Sequence, residues 1–554
     1  MTTHTIRIKC RVAIRTFVLT LIVLTFVTSA ICARRERLIE TWRPLNYTVR
    51  IHLNDELTEI TSAKAEVSVL VLKDTVTQID FDFGALAITS VTLNGEVVPY
   101  QRSEGRLNVK PGKPLSRNQR VAVVVSYHGK PADGLILSAD KAGKRSAIGD
   151  NWPNRVHHWI PSLDHPSAKA TLRFIVTAPA RTDVVANGRL DGVESTSSTA
   201  KTWSFTQSVP IPPYCMIIAV GEFAKVSPPQ QDITPLTYYV PVPERDIALR
   251  GFAPTYPSLK YFTETVGAYP YEKLAMIVGS TRFGGMENST AIVFSSTLFD
   301  PRPDAAISKT FQVRARIVSL IAHEVAHQWF GDSVTQSTWS DLWLSEGFAT
   351  YFAALFIRKT DGEDAFKIYM TRARETYLGN ANSTRTPLHD TETEDLMRLL
   401  NPNNYQKGAW VLHMLRMELG DEHFFEGIKQ YYEQHKNVTA SSEDLRRALE
   451  KASGRNLKSF FTSWVYGSGH PRYSLSWRWN SRTKRLRLTL HQTQTQPAFR
   501  NNVPVTITTT RGPQVVTLKP VRKETIEIVR LSAAPTGVQL DPDNHVLKEV
   551  VEQK

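Results

Sequence analysis

Ile321-Ala322-His323-Glu324-Val325-Ala326-His327-Gln328-Trp329-Phe330 sets two histidines four residues apart in an apolar-periodic run. On a helix those two positions lie one above the other, so both imidazoles can reach one ion. Zinc accepts imidazole nitrogen and carboxylate oxygen, and a catalytic zinc site needs three protein ligands plus an open position. Leu344-Ser345-Glu346-Gly347 offers Glu346 as the third ligand, with eighteen residues between it and His327. The pattern predicts one helix over residues 312–330 and a second over 342–359. Glu346 then falls near the start of the second, where the helix dipole suits a carboxylate. One Zn²⁺ per chain is the expectation.

Upstream, residues 274–279 read as a buried strand, and Arg282-Phe283-Gly284-Gly285-Met286-Glu287-Asn288 leads to another over 290–294. The glycines therefore fall at a strand edge or turn. There a guest backbone can approach closely and add itself by main-chain hydrogen bonds, with Glu287 beside it. Met286 and Phe283 suit a side-chain pocket or the core equally, and spacing does not separate the two. Asn288-Ser289-Thr290 matches a glycosylation acceptor, but a buried strand makes that match spurious. Downstream, Tyr405-Gln406-Lys407-Gly408 follows Pro402 and enters a helix in which His413 is a core histidine. Further amphipathic helices are predicted over 422–436, 442–452 and 457–466, with Ser441 and Asp444 as a start signal of the capping type.

The flanks have a different period. Residues 38–237 carry short alternating runs such as Tyr47-Thr48-Val49-Arg50-Ile51-His52-Leu53, separated by Gly, Pro, Asp and Asn turns. They argue for an N-terminal antiparallel β-sandwich or saddle. Within them, His157, His158 and His165 lack ligand spacing and sit beside turn prolines, so they are read as structural. Helical periodicity starts near Val240, with a helix over 246–266 broken at Pro254 and Pro257. Past Gly467-Ser468-Gly469-His470-Pro471 alternation returns and predicts a small C-terminal β-sandwich. The fold class is thus α+β and multidomain: 34–240, 241–470 and 471–554, after a leader over 1–33.

At 554 residues, 41% hydrophobic and 22% charged, the chain is an ordinary folded protein of several domains. Its formal charge of +14 falls by four once Arg7, Lys9, Arg11 and Arg15 are discounted as part of a leader. The remaining Lys and Arg are scattered along the sequence and no nucleic-acid module is visible, so a solvated basic surface is expected. Phe17 to Val27 is too short for a comfortable membrane span, and cleavage after Ala30 or Ala33 predicts export to the periplasm or extracellular space. An uncleaved segment would instead anchor the chain to a membrane. Cleavage after Ala33 removes Cys10 and Cys32 and leaves Cys215 without a disulfide partner in its chain.

Taken together, Gly284-Gly285-Met286-Glu287-Asn288, His323-Glu324-Val325-Ala326-His327, Glu346 and Tyr405-Gln406-Lys407-Gly408 resemble the zinc aminopeptidases of the aminopeptidase N and leukotriene-hydrolase type. The resemblance runs over about residues 245–470, more weakly over the β-rich part before it, and implies a thermolysin-like α/β catalytic domain. It implies that His323, His327 and Glu346 bind Zn²⁺, that Glu324 is the general base acting on a zinc-bound water, and that Tyr405 stabilises the oxyanion. Gly284, Gly285, Met286, Glu287 and Asn288 would bind substrate, with Glu287 taking the free α-ammonium of a peptide. Asn151, Trp152 and Asn154 depart from the family's usual Gln or Glu, so no second amine contact carries over. The sequence ends after the small β domain, without the large helical domain of many members, from which an open cleft is expected. The rival readings are a zinc endopeptidase, an inactive interaction protein on the same scaffold, and an epoxide hydrolase.

Overall fold

The computed structural model describes residues 34–140, 142–299 and 311–551. The predicted leader over 1–33, with Cys10 and Cys32, lies outside the described residues. The alternating runs of the N-terminal part form an eight-stranded sheet centred on Trp42–Leu53, Ile60–Val71, Arg120–Gly129 and Ala170–Pro179. Period-two patterning sends Tyr47, Val49 and Ile51 to one face together with Ala65, Val67 and Val69, all fully buried. Phe81, Leu107, Ala147 and Ile218, from two smaller sheets, complete this first core. The pairing is antiparallel throughout the large sheet except that Trp42–Leu53 runs parallel to Ala170–Pro179.

The central sheet contains β1 (Phe223–Val226), β2 (Leu236–Pro241), β3 (Leu274–Gly279), β4 (Gly285–Met286) and β5 (Ala291–Ser295), in the order β1-β2-β3-β5-β4. Parallel pairing of β2 with β3, from Leu236↔Leu274 to Tyr239↔Ile277, corrects the boundary expected at 240. The unit begins near residue 223, because the change to helical periodicity marks the first helix and not the first strand of the sheet. The two-residue β4 is the edge strand, antiparallel to β5, as the paired glycines suggested.

Helices then cover the sheet. The expected helix over 246–266 is two, α1 (Arg245–Gly251) and α2 (Thr255–Thr265), with the break just before Thr255. The motif helix is α3 (Phe311–His327), and α4 (Trp343–Asp361) is the second. Every residue of α4 from Trp343 to Ile357 is buried, so this apolar helix runs through the middle of the layer. Gly362, at φ +90°, turns the chain into α5 (Glu363–Leu378), a helix that the sequence reading had not picked out. There follow α6 (Gly408–Leu419), α7 (Asp421–His435), α8 (Ser442–Ser453) and α9 (Lys458–Trp464). The Ser441 hydroxyl accepts from Asp444 N–H while the Asp444 carboxylate accepts from Ser441 N–H, which is the expected capping box.

The C-terminal β-sandwich packs β6 (Arg472–Asn480), β7 (Arg485–Gln492) and β8 (Glu524–Arg530) opposite a sheet formed by Val503–Thr509, Gly512–Leu518 and Pro535–Leu540. Leu486, Leu488, Leu490, Val503 and Val505 join the same continuous core as α3 and α4. No helix among the described residues is long and apolar enough to cross a membrane.

Candidate active site

α3 delivers His323 and His327 to the same point from successive turns, with Nε2 atoms 3.0 Å apart. Glu346, in the first turn of α4, brings Oε2 to 3.3 Å from His323 Nε2 and 3.4 Å from His327 Nε2. These three ligand atoms lie within 4.8 Å of one another. Two facing imidazole nitrogens share at most one proton, and Glu346 Oε2 is buried with no hydrogen-bond partner among the described residues. Such a set is satisfied by a cation, and two imidazoles plus one carboxylate suit zinc. The orientation of His327 is set behind the ring, where Nδ1–H donates to the Phe330 carbonyl at 3.0 Å, with the Ser345 hydroxyl at 3.1 Å. That bond leaves Nε2 as the ligand atom. Gly331 makes it possible: at φ +120° the chain passes beneath the ring, and a Cβ there would stand 2.3 Å from Ser345 Oγ.

Two glycine contacts explain why the other motifs hold their residues. Gly347 in α4 and Gly408 at the start of α6 abut, each Cβ position 2.8 Å from the other's Cα. This approach sets the five-residue π turn Asn403–Lys407 against α4, and single π turns recur at functional sites. Asn403 and Asn404 fasten the turn by donating to Pro387 O at 2.6 Å and Leu399 O at 2.8 Å. Tyr405 is thereby stacked on His323, ring centroids 5.9 Å apart at 9°. At the edge strand, a Cβ on Gly285 would lie 2.4 Å from the Glu324 carboxyl carbon, so any side chain there would displace the Glu324 carboxylate or the strand. Among the described residues, the matching position on Gly284 meets only Leu320, at 3.8 Å.

The cleft over these residues has a volume of about 480 Å³, and its lining includes Glu287, Glu324, Tyr405 and the three histidine and glutamate ligands. Gly284, Gly285 and Met286 line it too, as does Phe283, so Met286 serves both the cleft and the core. Asn288 corrects the expectation that the whole segment binds substrate. The chain turns inward there, ahead of Thr290 at φ +67°, and Asn288 is fully buried outside the cleft lining. Trp152 forms one wall, edge-on to Phe283 and Trp339. Asn151 does not face the cleft lining: its amide donates to Met216 O and its carbonyl accepts from Trp159 Nε1. His157 pairs with Asp164 at 2.8 Å and His165 with Glu36 at 2.9 Å, the structural roles expected of them. His413 is buried in the core against Tyr351.

Glu287, Glu324 and His327 also bring their ligand atoms within 4.8 Å of one another. Burial raises Glu287 to about 7, with His327 opposing and Glu346 adding to the rise. Burial likewise lifts Glu324 well above the carboxylate range, again against His327 and with Glu287 and Glu346 adding. Against burial, Glu287, Glu346 and Glu324 raise His327 to about 10, and carboxylates buried this close together call for positive charge beside them. Behind them Gln328 Nε2 donates to Glu287 O at 3.3 Å and to Asp332 Oδ2 at 2.8 Å, while the Cys215 thiol donates to Asp332 Oδ1 at 3.2 Å. Sequence reasoning missed Gln328, Asp332 and Thr350. Thr350 follows Glu346 by one helical turn, a spacing that pointed to the same face; nothing in the sequence marked the other two.

Residues 43–215 match the peptidase M1 N-terminal domain and residues 253–464 the peptidase family M1 domain. The chain belongs to the peptidase M1 family, whose fold is the one seen here. It is similar to the probable aminopeptidase 2 of Sulfurisphaera tokodaii, 29% identical over 71% of this chain and 50% of the relative. It is also similar to the glutamyl aminopeptidase of Homo sapiens, 28% identical over 71% of this chain and 42% of the relative. Aminopeptidase M1 of Arabidopsis thaliana is 31% identical over 59% of this chain and 37% of its own length. The chain spans half or less of these curated relatives.

Proposed function

We propose that the chain is a zinc-dependent aminopeptidase, removing single residues from the free N-termini of peptides. The observation that carries this reading is Glu287, a buried carboxylate in the same cleft as the ligand set and within reach of Glu324. Zn²⁺ held by His323, His327 and Glu346 would supply positive charge among these carboxylates, and a peptide α-ammonium would supply more at Glu287. Bound there, the ion would supply Lewis acidity, polarising a carbonyl and lowering the pKa of water.

The chain's own groups do the rest. Glu287 accepts charge-assisted hydrogen bonds from the ammonium, which only a free N-terminus offers. An acetylated terminus leaves that carboxylate buried and unpaired, and is rejected for that reason. β4, an edge strand, aligns the substrate backbone as an added strand. Glu324 takes the proton of the attacking water and hands it to the leaving amine. Tyr405, above His323, donates to the developing oxyanion. The leader-like residues 1–33 support export of the enzyme from the cytoplasm.

Paired peptides of one sequence, free and acetylated, measured with and without a chelator, test the reading. Hydrolysis of the free peptide alone, abolished by chelation and restored by zinc, is expected. Equal cleavage of both peptides would make the protein an endopeptidase, and activity indifferent to the chelator would remove the metal.

A further inference from the structure

The open face of the C-terminal sheet carries a concentration of positive charge that strand register, not sequence spacing, assembles. On β7, Leu486, Leu488 and Leu490 point into the core, so Arg485, Arg487 and Thr489 point out. Register then builds three rows across β6, β7 and β8: Asn480, Arg485 and Arg530; Arg478, Arg487 and Ile528; Ser476, Thr489 and Ile526. Arg478 stands directly opposite Arg487, and Arg485 directly opposite Arg530. Like charges so placed destabilise a sheet. The hairpin turn at the same end adds Arg482 and Lys484, and all six cations are exposed. No acidic residue occurs in the three rows or the turn. The ion pairs of this sheet, His491–Glu524 at 3.5 Å and Arg472–Glu549 at 2.7 Å, lie towards its other end, and none of the six cations has an ion pair among the described residues. Ile528, 54% exposed, stands beside Arg487 and next to Arg530 on its strand, and Ile526, 41% exposed, follows it on the same face, ahead of Glu524.

We propose that this face docks the protein on an anionic lipid bilayer. Two like-charge cross-strand pairs cost stability in the free protein, and a negatively charged partner turns that cost into binding. The mixture of cations with apolar side chains favours a bilayer over a hydrated polyanion: the guanidinium groups meet lipid headgroups while Ile526 and Ile528 reach the acyl boundary, where a polymer offers them nothing. The face belongs to a sheet that shares its core with α3 and α4, so a docked molecule holds the catalytic helices at a set position relative to the membrane surface.

The test uses the full chain, with sedimentation on phosphatidylcholine vesicles and on vesicles containing phosphatidylglycerol, at low and high salt. The parent is compared with R478Q/R485Q/R487Q/R530Q and with I526S/I528S; because the leader is present in all three, the difference between them reports the face. Each cation near an anionic surface is worth about fivefold in partitioning, so the four-arginine variant is expected to bind phosphatidylglycerol vesicles at least about a hundredfold more weakly. The isoleucine variant is expected to lose partitioning while binding heparin as the parent does. Vesicle binding unchanged in the four-arginine variant overturns the proposal. So does heparin binding lost with the arginines but unaccompanied by any loss on vesicles, which would assign the face to a polymer. Each protein should unfold in a single cooperative transition, the four-arginine variant at or above the parent's temperature because its like-charge pairs are gone, which excludes misfolding as the cause.

Discussion

Gly285 gives the sharpest test of how the edge strand and the motif helix fit together. A methyl group added there stands 2.4 Å from the Glu324 carboxyl carbon and 2.4 Å from its Oε1. Ordinary van der Waals contact begins at 3.4 Å, so the carboxylate or the strand must retreat by about 1 Å. Glu324 is buried between β4 and the ligand set, and the carboxylate is the softer partner. A misplacement of about 1 Å at a catalytic group costs on the order of a hundredfold in rate, equivalent to about 2.7 kcal/mol of transition-state stabilisation. Overpacking adds roughly 1–3 kcal/mol of lost stability. Gly285→Ala should therefore lower kcat/KM on an aminoacyl arylamide by about a hundredfold. Its zinc content, measured by atomic absorption, should match the parent, because His323, His327 and Glu346 are untouched. Gly284→Ala is the matched control: among the described residues its Cβ meets only Leu320, at 3.8 Å, and activity should stay within about twofold. Full activity in Gly285→Ala, or equal losses in the two variants, would refute this account of the glycine pair.

Two further expectations concern other parts of the molecule. Tyr405→Phe should keep zinc and lower kcat by about a hundred- to a thousandfold, the usual loss of one oxyanion donor; unchanged kcat would return Tyr405 to a purely packing role. Glu36 joins the N-terminal sheets to the segment before α4. Burial pushes its carboxyl up, but hydrogen bonds from His165, Arg34 and the Trp339 amide outweigh it and hold the group down at about 2. A carboxyl lowered on folding contributes stability above its unfolded value of 4.5, and that contribution is lost as pH falls towards 2. Melting temperature should accordingly fall more steeply between pH 4.5 and 2 in the parent than in Glu36→Gln. Parallel curves would show that this contact does not couple to folding.

The ligand set was legible because helical geometry converts a spacing of four into one face without help from the rest of the fold. Edge placement of Gly284 and Gly285 was legible too, since strand, glycines and strand in succession leave few other arrangements. Less was readable where periodicity failed as a marker. The boundary near 240 was misplaced because β1 and β2 are too short to show which sheet they join. Asn288 was assigned to the cleft because the segment reads as one unit, whereas the turn at Thr290 sends its side chain inward. α5 went unnoticed, and Gly362 shows why: the joint at φ +90° lets a separate helix start where the previous one seems only to fade.

By itself, then, the sequence determined which residues could hold an ion, which carboxylate stands beside them, and where strands give way to helices. These are local matters, set by 3.6- and 2-residue periods. Only the tertiary structure decided what the motif glycines lie against, since Gly347 meets Gly408 and Gly285 meets Glu324 across long separations in the chain. The same holds for the arginine face, where Arg478, Arg487, Arg485 and Arg530 look scattered along the sequence until strand register places them side by side. Close approach and summed charge depend on which segments become neighbours, and chain order does not contain that information.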